Sequence, residues 1–235
     1  DGSGKPLGDA IGRTVHELHI GVDAIRFSPY PNPPARTIDV YSIGRRLEGI
    51  HKSLLSLSGQ KQFFYVHDTT QTGDSQVQNH REHRELYANM AKRSRFFMVA
   101  PGKVNEPGHT HGQVALAGRY FEGSAAGAVL IGQKADCAGF RQHFDWPDSV
   151  IEIQPDGSDV AEVLLKLSDE PERLHEISRR NAVEALRRHD WIYRWREIFD
   201  IAGLKPTSAM EAREKQLREL AELVSEEPVS TEVIR

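Results

Sequence analysis

Between residues 38 and 167 short apolar runs alternate with longer stretches in which apolar residues recur every three or four positions. The runs at 38–43, 62–66, 95–100, 128–131 and 150–153 predict strands, being rich in β-branched and aromatic residues and bounded by glycine, proline or polar clusters. The run at 128–131 has no polar position, so its strand is expected to be buried on both faces. Helical spacing places Leu54, Leu55 and Leu57 toward the sheet from a helix over 51–57. A helix over 80–92 presents Leu86, Tyr87 and Met90 inward and Arg81, Glu82, Arg84 and Glu85 outward, and one over 158–167 buries Val160, Val163, Leu164 and Leu167. Residues 137–144 read as a short helix or a turn. Strands and helices alternating in this rhythm predict an α/β fold built on a doubly wound, mostly parallel sheet.

The flanks have a different pattern. Residues 1–13 are rich in glycine and charge and read as a mobile leading segment, and 15–20 alternates enough for a short strand. Residues 67–78 form a polar loop at a strand's carboxyl end; lid, base contact and plain exposure are all open, with exposure preferred. After the sheet, Asp169-Glu170-Pro171-Glu172 starts a helix that runs through Arg188. Asp190 caps another, on which Trp191, Ile192, Trp195, Ile198 and Phe199 make an apolar stripe before Gly203 ends it. From Lys205 onward Met210, Leu217, Leu220, Leu223 and Val224 mark a charged amphipathic helix followed by a polar tail.

Composition narrows the function classes. The 235 residues are 38% hydrophobic and 27% charged with a formal net charge of -4, which fits a globular protein and gives no bias toward nucleic acid. A single cysteine, Cys137, excludes an internal disulfide framework, fits a reducing, cytoplasmic compartment, and reads as a small buried hydrophobe. No apolar run is long enough for a membrane span. The chain opens at Asp1, without a signal peptide's charged and apolar regions or an initiator methionine, which reads as a processed, trimmed or excerpted piece. His80-x-x-His83 and His109-x-His111 have chelating spacings, yet no carboxylate or cysteine completes a zinc signature, so no metal is assigned. A P-loop and a dinucleotide-binding glycine fingerprint are both missing, which favours diphosphate binding by side chains and requires no cofactor.

The candidate chemistry lies in Arg119-Tyr120-Phe121-Glu122-Gly123-Ser124-Ala125-Ala126-Gly127, just before the 128–131 strand. Arg119 and Glu122 are three apart and share one face of a helical turn, while the small residues after them allow close packing below. Helix amides and Arg119 suit a diphosphate and Glu122 suits the two ribose hydroxyls; an Arg and a Glu on a solvated face is the plain alternative. Arg45 and Arg46 follow Gly44 at the carboxyl end of the first strand, the edge where open parallel sheets bind ligands, and Lys103 lies in a loop over the same edge.

"RYFEGSAAGAVLIG" and "RHDWIYRWREIFDIAGL", with "HIGVDAIRFSPYP" upstream, resemble the C-terminal, donor-nucleotide-binding half of the GT-B glycosyltransferases, in their group 1-like branch. The resemblance spans residues 16–204. It implies a Rossmann-like domain over 38–204, preceded at 1–37 by the leading segment and the crossing between domains, with the amphipathic helix and tail at 205–235 as an extra element. It implies that Glu122 holds the donor ribose and that Arg45, with Arg46 second, contacts the diphosphate. Many members carry a partner glutamate eight positions before the one matching Glu122, where this chain has Val114. In the family the helix after Asp190 crosses back over an N-terminal acceptor domain, which supplies the catalytic base, and the chemistry runs without a bound metal.

The expected function is therefore sugar transfer from a nucleoside-diphosphate sugar to an unidentified acceptor. Arg45, Arg46, Lys103, Arg119 and Glu122 would hold the donor nucleotide, and a partner domain or an oligomer through the C-terminal helices would complete the protein. At this length the chain is too short for an ordinary two-domain enzyme of the type and would supply mainly the donor domain. A non-catalytic binding module of the same fold, using the cleft or the Trp191/Trp195 surface, is the alternative.

Overall fold

In the computed structural model, which describes residues 4–59, 63–68, 77–104, 108 and 112–226, the five apolar runs form one all-parallel sheet. Its strands are β1 (Ile38–Ser42), β2 (Tyr65–His67), β3 (Ser94–Val99), β4 (Val129–Gly132) and β5 (Ile151–Glu152), in the order β2-β1-β3-β4-β5. The helices are α1 (Gly4–Ile11), α2 (Ala24–Phe27), α3 (Glu48–Ser58), α4 (His80–Lys92), α5 (Gly118–Ala125), α6 (Ala138–His143), α7 (Val160–Ser168), α8 (Pro171–Arg188), α9 (Trp191–Ile201) and α10 (Ser208–Glu226). Register is fixed by the central pairs, Val40 beside both Tyr65 and Phe96, and Leu130 beside Phe97.

Two cores sandwich the sheet because alternate residues of its central strands point to opposite faces. Phe96, Met98, Val129 and Ile131 join Ile50 and Leu54 of α3 and Val160, Leu164 and Leu167 of α7. Phe97, Val99 and Leu130 join Tyr87, Ala88 and Ala91 of α4, Tyr120 and Phe121 of α5, and the second half of α8. Every residue of β4 is buried, as a strand covered on both faces requires. Gly123 is what lets α5 lie against the sheet: a Cβ there would sit 2.5 Å from Leu130 Cδ2 and 2.8 Å from Phe97 Cδ1.

The amino ends of the strands are closed by side chains. Arg36, buried and with no carboxylate partner among the described residues, donates to the carbonyls of Ser94, Ala126 and Gly127, so it terminates α5 and ties it to the start of β3. Burial lowers its pKa to about 10. Asn181 of α8 bonds the Ala128 carbonyl and Ser178 the Gly127 carbonyl.

Several elements differ from expectation. Residues 15–20 form no strand, and only Val22 pairs, in an isolated bridge with Asp190. The leading segment contains α1, which has no buried residue. Leu86 is exposed, because Tyr87, Ala88 and Ala91 of α4 are buried with Met90 packed against the same core, and Leu55 of α3 is exposed as well. Trp191 and Trp195 are 41% and 53% exposed, since α9 turns Ile192 and Arg194 inward instead. Cys137 is buried as expected. Residues 69–76 of the polar loop, Gln62, His109, His111 and the tail at 227–235 lie outside the described residues.

Candidate functional site

The strand order reverses between β1 and β3: the chain steps outward from β1 to β2, then returns past β1 to lay down β3, β4 and β5. At such a switch point the loops leave in opposite directions and open a crevice beyond the carboxyl ends of the strands. The first loop is Gly44-Arg45-Arg46. Asp68, just past β2, organises it: its carboxylate accepts the Gly44 N–H at 2.8 Å, and its carbonyl and carboxylate accept Arg46 Nη1 at 2.7 and 3.1 Å. Arg46 is therefore engaged in shaping the loop, while Arg45 is exposed on its outer side.

The loop after β3 is pinned over the same edge by a two-residue bridge between Gly102 and Ala115, with the Gly102 N–H donated to the Ala115 carbonyl at 2.8 Å. Lys103 follows, exposed and in the left-handed region at φ 55°. The chain then enters α5 through Ala117, a cap with no side-chain acceptor for the first-turn amides.

Arg119 on that first turn reaches across to Gly44. A Cβ at Gly44 would overlap Nη2 of Arg119, so the guanidinium rests directly on the backbone of the β1 loop, which turns there at φ 76°. Its Nε is buried without a hydrogen-bond partner among the described residues, and no carboxylate pairs with the group there. One helical turn on, Glu122 has a different setting. Its Oε1 accepts Arg84 Nη1 at 2.7 Å and its Oε2 accepts the Tyr87 hydroxyl at 2.6 Å, both donors coming from α4. Its side chain is 16% exposed.

Arg119 and Glu122 both act on the hydroxyls of Tyr41 and Tyr87. Tyr41, near the end of β1, has its hydroxyl pushed upward by burial, then by Asp68 and Glu122, while Arg119 opposes. The Tyr87 hydroxyl is raised by burial and by Glu122, again with Arg119 opposing. A cation with no ion pair among the described residues, helix amides without a side-chain cap and an oriented carboxylate, all on the first turns of α5, can take an anionic group joined to a diol. Of the five candidate side chains, the structure seats Arg119 on Gly44 and Glu122 on Arg84 and Tyr87, one helical turn apart on α5, sets Arg45 and Lys103 exposed on the two loops of that rim, and ties Arg46 to Asp68.

Sequence reasoning missed Asp68, Arg84 and Tyr87 as parts of the rim. Arg84 was assigned to the outer face of α4 and Tyr87 to its core; three apart, they share one helical face, the same spacing that singled out Arg119 and Glu122. Arg84 is held from behind by Phe27 of α2, with its guanidinium 5.0 Å from that ring's centroid.

The segments that carried the upstream and terminal resemblance meet at Asp190. The Val22 N–H bonds the His189 carbonyl and the Trp191 N–H bonds the Val22 carbonyl, at 2.9 and 3.0 Å. The fully buried Asp190 carboxylate accepts the Ala24 and Ile192 amides and a two-pronged contact from Nε and Nη2 of Arg213 of α10, and the same Nη2 also donates to Asp23. Among the described residues no three His, Cys, Asp or Glu side chains converge as a metal site would require, and no helix is long and apolar enough to cross a membrane.

No curated protein matches the chain. A family model described as glycosyl transferase-like matches residues 42–200, from the last residue of β1 into α9, and includes Arg45, Arg46, Lys103, Arg119 and Glu122. That match covers more than half of the chain, and with the parallel sheet and the rim at its switch point it places this protein in the glycosyl transferase-like family.

Proposed function

We propose that this chain binds a nucleoside-diphosphate sugar at the β1/β3 rim and serves as the donor domain of a sugar transferase. The observation that carries the reading is Arg119, a guanidinium with no ion pair among the described residues, seated on the Gly44 turn one helical turn before a carboxylate whose orientation is already fixed. In transfer, the bond from the anomeric carbon to the diphosphate oxygen breaks, the acceptor oxygen bonds to that carbon, and the acceptor's proton passes to a base. Negative charge grows on the leaving diphosphate. Arg119, Arg45, Lys103 and the first amides of α5 would stabilise that charge, with Arg46 holding the loop in shape through Asp68. Glu122 would accept from the ribose hydroxyls. No base is assigned within this chain, and an acceptor domain or partner surface would supply it.

Titration calorimetry with uridine, guanosine and adenosine diphosphates tests the reading. Binding of one of them in the micromolar range, lost in Arg119→Ala and in Glu122→Ala, supports it. A folded chain that binds none of the three would favour the second reading, a non-catalytic module, for which the exposed Trp191 and Trp195 are the supporting observation.

A further inference from the structure

Glu122 does not face the rim as a freely rotating side chain. Arg84 takes one lone pair of Oε1 and Tyr87 one lone pair of Oε2, at 2.7 and 2.6 Å, so both oxygens are fixed and each retains one acceptor position. The two donors are themselves immobilised. The Arg84 guanidinium lies 5.0 Å from the Phe27 centroid and 5.4 Å from the Tyr87 centroid. Tyr87 is 5% exposed and packs edge-on against Phe27 and Tyr41. Its hydroxyl, raised well above the usual tyrosine range by burial and then by Glu122, remains a donor at neutral pH. Three elements, α2, α4 and α5, thus converge on the direction of one carboxylate.

We propose that Arg84 and Tyr87 are positioning residues that present Glu122 as a paired acceptor for two adjacent hydroxyls, and so make this rim select ribonucleotide over 2′-deoxyribonucleotide donors. The inference rests on the reading of Glu122 as the ribose contact. Its physical basis is that two fixed acceptors side by side on one carboxylate match a vicinal diol. A deoxyribose satisfies only one of them and leaves the other desolvated without a donor, which is how sites built around a hydroxyl reject analogues lacking it. A purely structural strap between α4 and α5 would use the same two bonds but would not distinguish the two sugars.

The experiment is calorimetry on the full chain with uridine, guanosine and adenosine diphosphates, each beside its 2′-deoxy counterpart. A hydrogen bond to a charged group supports a preference of roughly 10- to 100-fold for the ribonucleotide in the wild-type protein. In Tyr87→Phe and in Arg84→Gln the preference is expected to fall below about 3-fold, with affinity for the ribonucleotide falling more than affinity for the deoxy ligand, and Arg84→Lys recovers part of the preference. Thermal melts establish that each variant folds; Arg84 is partly exposed, so its replacements keep the test open if Tyr87→Phe does not fold. The proposal is overturned if the preference survives both substitutions, if affinity for both sugars falls together, or if the wild type shows no preference. In that last case, binding that still depends on Arg119 leaves the donor-site reading standing, whereas absence of all diphosphate binding removes both.

Discussion

Replacing Gly44 with alanine separates the two things that glycine does. Gly44 turns the chain at φ 76°, where an L side chain is strained, and it leaves room for the Arg119 guanidinium, which an added Cβ would overlap. The strain costs about 1–2 kcal/mol. The overlap adds little to that, because the colliding atom is the far end of a flexible side chain and can swing away. That displacement is where function is lost: a guanidinium on a phosphate contributes about 1.5–3 kcal/mol, or roughly 10- to 100-fold in affinity. Gly203 supplies the control, since it has φ 67° with nothing within 4 Å of the added Cβ. Gly44→Ala and Gly203→Ala are therefore expected to lose similar stability, about 2–8 °C in Tm by differential scanning fluorimetry. Calorimetry with the preferred nucleoside diphosphate should show binding weakened only in Gly44→Ala. Equal, unimpaired binding by both variants would refute the placement of Arg119 in the site.

Asp190→Ala should destabilise the protein by about 3 kcal/mol in urea unfolding, because a buried carboxylate that serves two amides and Arg213 is lost and the α9 cap goes with it. A loss below about 1 kcal/mol would mean that α2, α9 and α10 are not held together there. Stability should also fall in acid. Burial, then Arg194, His19 and Arg188, lower the pKa of His143 to about 4, with Asp145 opposing, and burial drives His189 well below its usual value. The unfolded chain takes up both protons near pH 6.5, whereas the folded chain refuses that of His143 until near pH 4 and that of His189 well below its usual range. Their contribution is thus intact above about pH 6.5 and lost progressively below it, on the order of 3 kcal/mol for His143. His143→Gln should flatten the change in urea midpoint between pH 7.5 and 4.5; an unchanged slope would contradict this origin.

The fold was legible because parallel strands buried on both faces leave a strong mark: 128–131 has no polar residue and became β4 almost unshifted. The helix at 80–92 fell where its periodicity placed it, and the one through Arg188 has its expected span, although its cap residue is Glu170 and makes no side-chain cap bond. The 15–20 segment pairs with no strand of the sheet, and Val22 just after it pairs instead with the α8–α9 junction. At the site, Arg119 and Glu122 could be found from helical spacing within one segment. Arg84, Tyr87 and Asp68 could not, because they reach the rim from other elements through long-range pairing. On its own helix Arg84 is one of several charges on a polar face, and only the neighbouring α5 turns it into the partner of Glu122. The apolar stripe of α9 was read correctly as sequence, but Trp191 and Trp195 face outward, since Ile192 and Arg194 already fill the inner face.

The most direct test is a crystal structure of the chain with its preferred nucleoside diphosphate. The account predicts phosphate oxygens within hydrogen-bond distance of the Arg119 guanidinium above Gly44, and both ribose hydroxyls on the oxygens of Glu122. A nucleotide bound away from the β1/β3 edge, or with its ribose turned from Glu122, would contradict it.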